Sequence, residues 1–307
     1  MTLAFVFPGH GSHMVGMLNS LSNLREVKET IQEASDVLDE DIGKLITEGP
    51  KEALAVLSNA APAMVTAGVA CYRAWIAAGG PKPNIVAGHS HGEYSALVAA
   101  ETISFKDAIS IVRFRANAMQ TVSGRMAAII GLGASKVVEL CLVVSSNTGK
   151  VVEAVNFNAP GQILISGDKE AVDIACDIFR EAGAKLVIPL AITVPAHSSL
   201  MKSVSENLQD YFNSIEFRSP VIPVINNVDV SIVNDPHDIK SAMVRHVANP
   251  VRWQEVIKTM SARGIKHVVE CGPGEVLHEL VPRIDSKLQG LSFIDEPSLV
   301  EVIQTLS

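Results

Sequence analysis

The run GHSHG, residues 88–92, sets a serine midway between two glycines. It fits G-x-S-x-G, the pattern of a nucleophile on a sharp turn, provided that a strand precedes it and a helix follows. "NIVAG" reads as a short buried strand before the turn, and a helix from about Glu93 to Ala100 follows it. The chemistry accounts for the glycines, because side chains at either end of such a turn would strike neighbouring backbone. A helix opening behind Ser90 would aim its free N–H groups and positive end at an oxyanion formed on attack. The competing reading is an ordinary helix start, with Ser90-x-x-Glu93 as a capping box.

A nucleophilic serine needs a base, and the chain holds nine histidines. His89 and His91 flank Ser90, but neighbouring side chains at a tight turn point away from the central one. The base must then come from a distant segment. His197, in "TVPAHSSLM", is the candidate; its other reading is a residue that starts a helix. His267 opens a strand, His278 lies within a helix, and His237 sits in the polar run "NDPHD". Each of these reads as a core or surface histidine.

A third residue is out of place. The segment "KDAISIVRFRANAMQ" (106–120) is helical in pattern. At about 100° per residue, Ala108, Ile111, Val112, Ala118 and Met119 form an apolar stripe with Arg115 in its middle. Arg113 falls on the opposite side with Lys106, Asn117 and Gln120. An inward guanidinium demands an anionic partner. That partner is either a structural carboxylate or the carboxylate of a bound acyl group, gripped at two points; a snorkelling stem is the third reading.

The elements that must position these residues alternate between apolar runs and helical patterns, which predicts an α/β fold with a mostly parallel sheet. "LAFVF" (3–7) is a strand ending in "PGHGSH", "REVKETIQEASDVL" (25–38) an amphipathic helix, and "PAMVTAGVACYRAWIAAGG" (62–80) an apolar helix. From Gly124 the order becomes strand, helix, hairpin, helix, strand: "RMAAIIGL", "ASKVVELCLVV", "VVEAVNFN" and "QILISG" across "APG", "KEAVDIACDIFREAGA", "KLVIPLAIT". This β-α-β-β-α-β order is the ferredoxin-like unit. The expected division is a catalytic domain of residues 1–123 and 192–307 with a parallel sheet, interrupted by a ferredoxin-like small domain of residues 124–191. Alternation then resumes through "PVIPVINN", helices at 236–247 and 251–263, the strand "HVVEC" and "GPGEVLHEL".

Bulk composition narrows the function classes. The chain is 48% hydrophobic and 19% charged, ordinary for a soluble globular protein of 307 residues. Its net charge of −8 argues against general nucleic-acid binding. "MTLAFVFPGHG" is too short an apolar run for a signal peptide or membrane span, so a cytoplasmic location is expected. Cys71, Cys141, Cys176 and Cys271 lie far apart without a CxxC pair and read as buried small hydrophobes in a reducing compartment.

Taken together, these segments resemble the malonyl-CoA:acyl carrier protein transacylases. "FVFPGHGSHMVGM" is similar to that family's "FPGQGSQ" opening, and "AGHSHGEYSALVAA" to its "GHSLGE" elbow. "VRFRANAMQ", "MAAIIGL", "VNFNAPGQ", "VPAHSSLM", "VINNVD", "NPVRW" and "GPGEVL" resemble further family segments in order, over essentially the whole chain. The resemblance implies an α/β-hydrolase-like catalytic domain. It implies Ser90 as the acyl-accepting nucleophile, His197 as general base and then acid, and Arg115 as the ligand of the malonyl carboxylate. It further implies oxyanion donors in the main-chain N–H groups of His10 and His91, and a main-chain carbonyl, that of His246, orienting His197. Malonyl would pass from coenzyme A to Ser90 and then to the phosphopantetheine thiol of acyl carrier protein, with no cofactor, metal, membrane or nucleic acid required.

His10, His13, His91 and His246 stand where the family usually has Gln, Gln, an apolar residue and Gln. Three of the four implied roles are main-chain ones that any non-proline residue fills. A metal site at His10, His13 and His91 matches no standard ligand spacing. The linker "QTVSGRMAA" is short for the family. Other assignments stay open: a trans-acting acyltransferase or editing hydrolase of a polyketide assembly line, or a weakly catalytic scaffold that docks carrier proteins. Arg180, Lys185 and Arg283 are the basic residues expected to meet an acidic carrier.

Overall fold

A computed structural model describes residues 2–306. Two four-stranded sheets organise it. The first comprises β1 (Leu3–Phe7), β2 (Ile85–Gly88), β7 (His267–Glu270) and β8 (Gln289–Ser292), ordered β2-β1-β7-β8 and parallel throughout. All five residues of β1 are buried, as a central strand covered on both faces requires. The second comprises β3 (Arg125–Ile130), β4 (Val152–Ala159), β5 (Gln162–Gly167) and β6 (Leu186–Pro189), ordered β4-β5-β3-β6 and antiparallel. Helices Ala134–Thr148 and Lys169–Glu181 cover it through a separate apolar cluster that includes Ile129, Ile165 and Phe179.

The helices at 25–38 and 105–119 and the hairpin across Pro160-Gly161 follow the sequence pattern closely. Other elements depart from it for identifiable reasons. The apolar helix begins at Leu57 rather than near Pro62, because Asn59 and Ala60 donate to the Val56 carbonyl and start the helix a turn earlier. "PVIPVINN" forms no full strand. Its main-chain hydrogen bonds to β2, among the described residues, are those of Val86, which donates to Pro223 and accepts from Ile225, since Pro220 and Pro223 lack the N–H groups that a ladder needs. The expected strand 185–193 is shorter, ending at Pro189, although the Leu190 N–H still donates to the Met126 carbonyl of β3. β8 and the final helix Glu296–Thr305, opened by an Asp295–Ser298 capping box, went unread in the sequence. No described helix is long and apolar enough to cross a membrane.

Candidate active site

Adjacent parallel strands put the ends of β1 and β2 side by side, with Phe7 opposite Gly88. Open parallel sheets form their clefts at such carboxyl ends. The turn after β2 presses on the loop after β1: a Cβ at Gly88 would lie 2.0 Å from the Gly92 carbonyl carbon, and one at Gly92 2.3 Å from the Phe7 oxygen. Neither position has room for a methyl group. Gly88→Ala is therefore expected to cost about 3 kcal/mol or more through overpacking against backbone, read as a drop in the thermal midpoint. A midpoint equal to wild type would contradict this packing.

Ser90 sits at the apex with φ 53°, in the left-handed region. Its hydroxyl does not cap the following helix, and the Glu93 carboxyl turns elsewhere, so the capping-box geometry is absent. Instead the Ser90 Oγ–H donates to His197 Nε2 at 2.8 Å. His197 also has a left-handed backbone, φ 63°, and its N–H donates to the Val247 carbonyl. Its Nδ1 lies 3.0 Å from the His246 carbonyl oxygen and 3.2 Å from that of Asn249. Carbonyl oxygens only accept, so the proton must sit on Nδ1, and Nε2 is left as the acceptor facing Ser90. The pair is a serine–histidine dyad oriented by main-chain carbonyls.

Burial and the neighbouring Arg115 charge lower the His197 pKa to about 3, while its two carbonyl bonds act in the opposite direction. The imidazole is thus neutral at any ordinary pH, the form a general base requires. Arg115 is 2% exposed, with no ion pair among the described residues, and its Nε and Nη2 have no hydrogen-bond partner. Burial lowers its pKa, while Tyr94 and Glu93 act in the opposite direction, and a guanidinium stays charged in proteins. Arg113, on the outer side as the helical spacing expects, pairs with Glu40.

Ser90, His197, Arg115, His10 and His91 all border one cleft of about 660 Å³, a size suited to a small acyl group and its thioester arm. Among the described residues, the main-chain N–H groups of His10 and His91 donate to no protein acceptor. The rings of His10 and His13 are 4.5 Å apart and those of His10 and His91 6.5 Å. Burial lowers the His10 pKa to about 4 and holds His91 well below its usual value, so both rings are neutral. A second hollow of about 950 Å³, beside Arg125 and Lys150, shares only the wall Leu190–Thr193 with the cleft.

Outside the cleft, His237 is exposed, His267 meets Gln289, and His278 pairs with the buried Glu270. The four cysteines are free and buried. Arg180, Lys185 and Arg283 are exposed, but Arg180 is paired with Asp177 and Arg283 donates to Gln162. The sequence reading passed over Asn227, Asn249 and the inward role of Glu93. Their only signal was membership of "VINNVD", "NPVRW" and the elbow run.

Comparison with known proteins gives the family of the chain. The family model for the acyl transferase domain matches residues 4–287. The malonyl CoA-acyl carrier protein transacylase of Salmonella typhimurium is 43% identical over 307 residues, covering 98% of each chain. The crystal structure of an acyl-carrier-protein S-malonyltransferase from Burkholderia pseudomallei aligns with a TM-score of 0.96 at 51% identity, covering 99% of this chain and 100% of that one. A malonyl-transacylase solved in complex with its type II PKS acyl-carrier protein aligns with a TM-score of 0.97 at 42% identity, covering 99% of this chain and 100% of that chain. By sequence and by fold, over nearly its whole length, the chain belongs to the acyl transferase domain family.

Proposed function

We propose that this protein transfers a malonyl group from malonyl-CoA to the phosphopantetheine thiol of acyl carrier protein, through an ester on Ser90. The observation that carries the reading is a serine–histidine dyad at 2.8 Å in a cleft whose wall holds an unpaired, buried Arg115. His197 Nε2 takes the Ser90 proton as Oγ attacks the thioester carbonyl. The oxyanion is met by the main-chain N–H groups of His10 and His91, which have no other acceptor. Collapse breaks the C–S bond, and the proton on Nε2 goes to the departing coenzyme A thiolate. The carrier thiol then returns its proton to His197, attacks the Ser90 ester, and restores the hydroxyl. Arg115 takes the malonyl carboxylate in a two-point grip, and an acyl group without one leaves the guanidinium unpaired.

Residues 1–123 and 192–307 act in this reading as an α/β-hydrolase-like catalytic part, and residues 124–191 as a ferredoxin-like cover. The parallel sheet β2-β1-β7-β8 and the β-α-β-β-α-β order of the antiparallel sheet support that division. The two crossings between the parts lie together, with Gly124 N–H donating to the Thr193 carbonyl at 2.9 Å.

Brief incubation with malonyl-CoA followed by intact-mass analysis tests the reading: the malonyl adduct should map to Ser90 and be discharged by carrier protein. Carrier binding without any adduct would favour a docking scaffold instead. A pH profile supplies an independent check. Because the His197 pKa is lowered to about 3, the base stays unprotonated throughout mild acid. Plots of kcat/KM, which report the free enzyme, should stay level between about pH 7.5 and 5.5. An inflection near the usual histidine value would remove His197 from the role.

A further inference from the structure

Three buried polar side chains lie behind the cleft with no part in the steps above: Glu93, Asn227 and His246, at 2%, 0% and 1% exposure. Asn227 and Glu93 are hydrogen-bonded to each other, and His246 lies beside them. Asn227 Nδ2–H donates to the Gly88 carbonyl at 2.7 Å, and the Ser90 N–H donates to Asn227 Oδ1 at 3.0 Å. One amide thus holds the turn on both sides of its apex. The Asn227 main-chain N–H in turn donates to Glu93 Oε2 at 3.1 Å. That same oxygen lies 3.8 Å from His246 Nε2, and the carbonyl of His246 accepts from His197 Nδ1.

We propose that Asn227, anchored by Glu93, is a positioning residue for acyl transfer at Ser90. The inference rests on Ser90 being the nucleophile. A non-glycine residue in left-handed backbone costs on the order of 1–3 kcal/mol and persists only where its surroundings over-determine it. The Asn227 clamp supplies that determination. It also occupies the Ser90 N–H, which leaves oxyanion binding to other donors. Inside a buried network each bond is strengthened by low dielectric and each loss is correspondingly costly.

Glu93 fits the anchoring role as a neutral acid. Burial raises its pKa to about 8, and Asp229 acts in the same direction, while the Asn227 N–H and the Arg115 charge oppose them. His246, facing it from the helix Pro236–His246, is kept neutral by burial and by His197 and Arg115. Tyr94, on the same helix as Glu93, has its own pKa raised to about 12 and stays protonated. Ionising Glu93 would therefore place a buried negative charge beneath the dyad and partly offset the Arg115 charge. Activity is expected to fall above about pH 8 in wild type, and Glu93→Gln, which keeps an oxygen for the Asn227 N–H, should flatten that alkaline limb.

The test uses a fluorophosphonate that labels reactive serines, so that the result does not depend on malonyl binding. Wild type should label and Ser90→Ala should not; any other result there refutes the nucleophile itself. Given that control, Asn227→Ala should label about 10²-fold more slowly, the scale of an ångström's misplacement, with KM for malonyl-CoA nearly unchanged. Asn227→Asp keeps the acceptor for Ser90 but loses the donor to Gly88, and should fall between the two. Glu93→Ala should slow labelling about tenfold or more, and Glu93→Gln should recover to within about threefold of wild type. Wild-type labelling rates in Asn227→Asp and Glu93→Ala would overturn the proposal, even if Asn227→Ala fails to fold.

Discussion

Ser90→Ala is expected to lower malonyl transfer by at least about 10⁴-fold and to leave no malonyl adduct in intact-mass spectra. The argument is geometric. No other hydroxyl in the described structure pairs with His197 Nε2, the acceptor that its two carbonyl contacts define. Removing His197 instead should cost nearly as much, because the dyad works as one unit. His197→Ala and the double variant are therefore expected to lie within about tenfold of Ser90→Ala, far from additive. An acylated Ser90→Ala protein would end the assignment of this residue, whatever the rate.

The second large effect belongs to Arg115. Its guanidinium is buried with Nε and Nη2 unpartnered, so the free protein holds an unpaired cation whose charge lowers the His197 pKa. A malonyl carboxylate neutralises that cation as it binds. Two consequences follow: affinity through a charge-assisted bidentate contact, and a more basic His197, because the charge that depressed it is balanced. An acetyl group offers neither. Arg115→Ala should reduce the malonyl-over-acetyl ratio of kcat/KM by about 10²-fold or more, while acetyl transfer survives. The measurement is competition between the two thioesters. An unchanged ratio would make Arg115 a structural residue.

Local signals carried the placement of Ser90 and of the Arg115 guanidinium a long way. Ser90 was legible because a turn that tight excludes Cβ atoms at Gly88 and Gly92, and the exclusion is written in two glycines. Arg115 was legible because helical periodicity fixes a side chain's direction, and the buried stripe around it followed that periodicity. The short contact beside Pro223 was not legible, since an apolar run does not reveal which N–H groups a ladder will need. The contacts of Asn227 were invisible, because they join it to Glu93 and Ser90, 134 and 137 positions away.

What the amino-acid order determined by itself, then, was everything set within a few residues: the turn, the helix faces, and the alternation that predicts two sheets. Tertiary structure decided that His197, until then only a candidate, meets Ser90. It brought residue 197 across from a segment 107 positions away and chose its tautomer with carbonyls from 246 and 249. The reason is physical. Side-chain direction along a helix or turn follows from backbone periodicity, whereas a hydrogen bond between distant segments exists only once strand order and burial have set their distance.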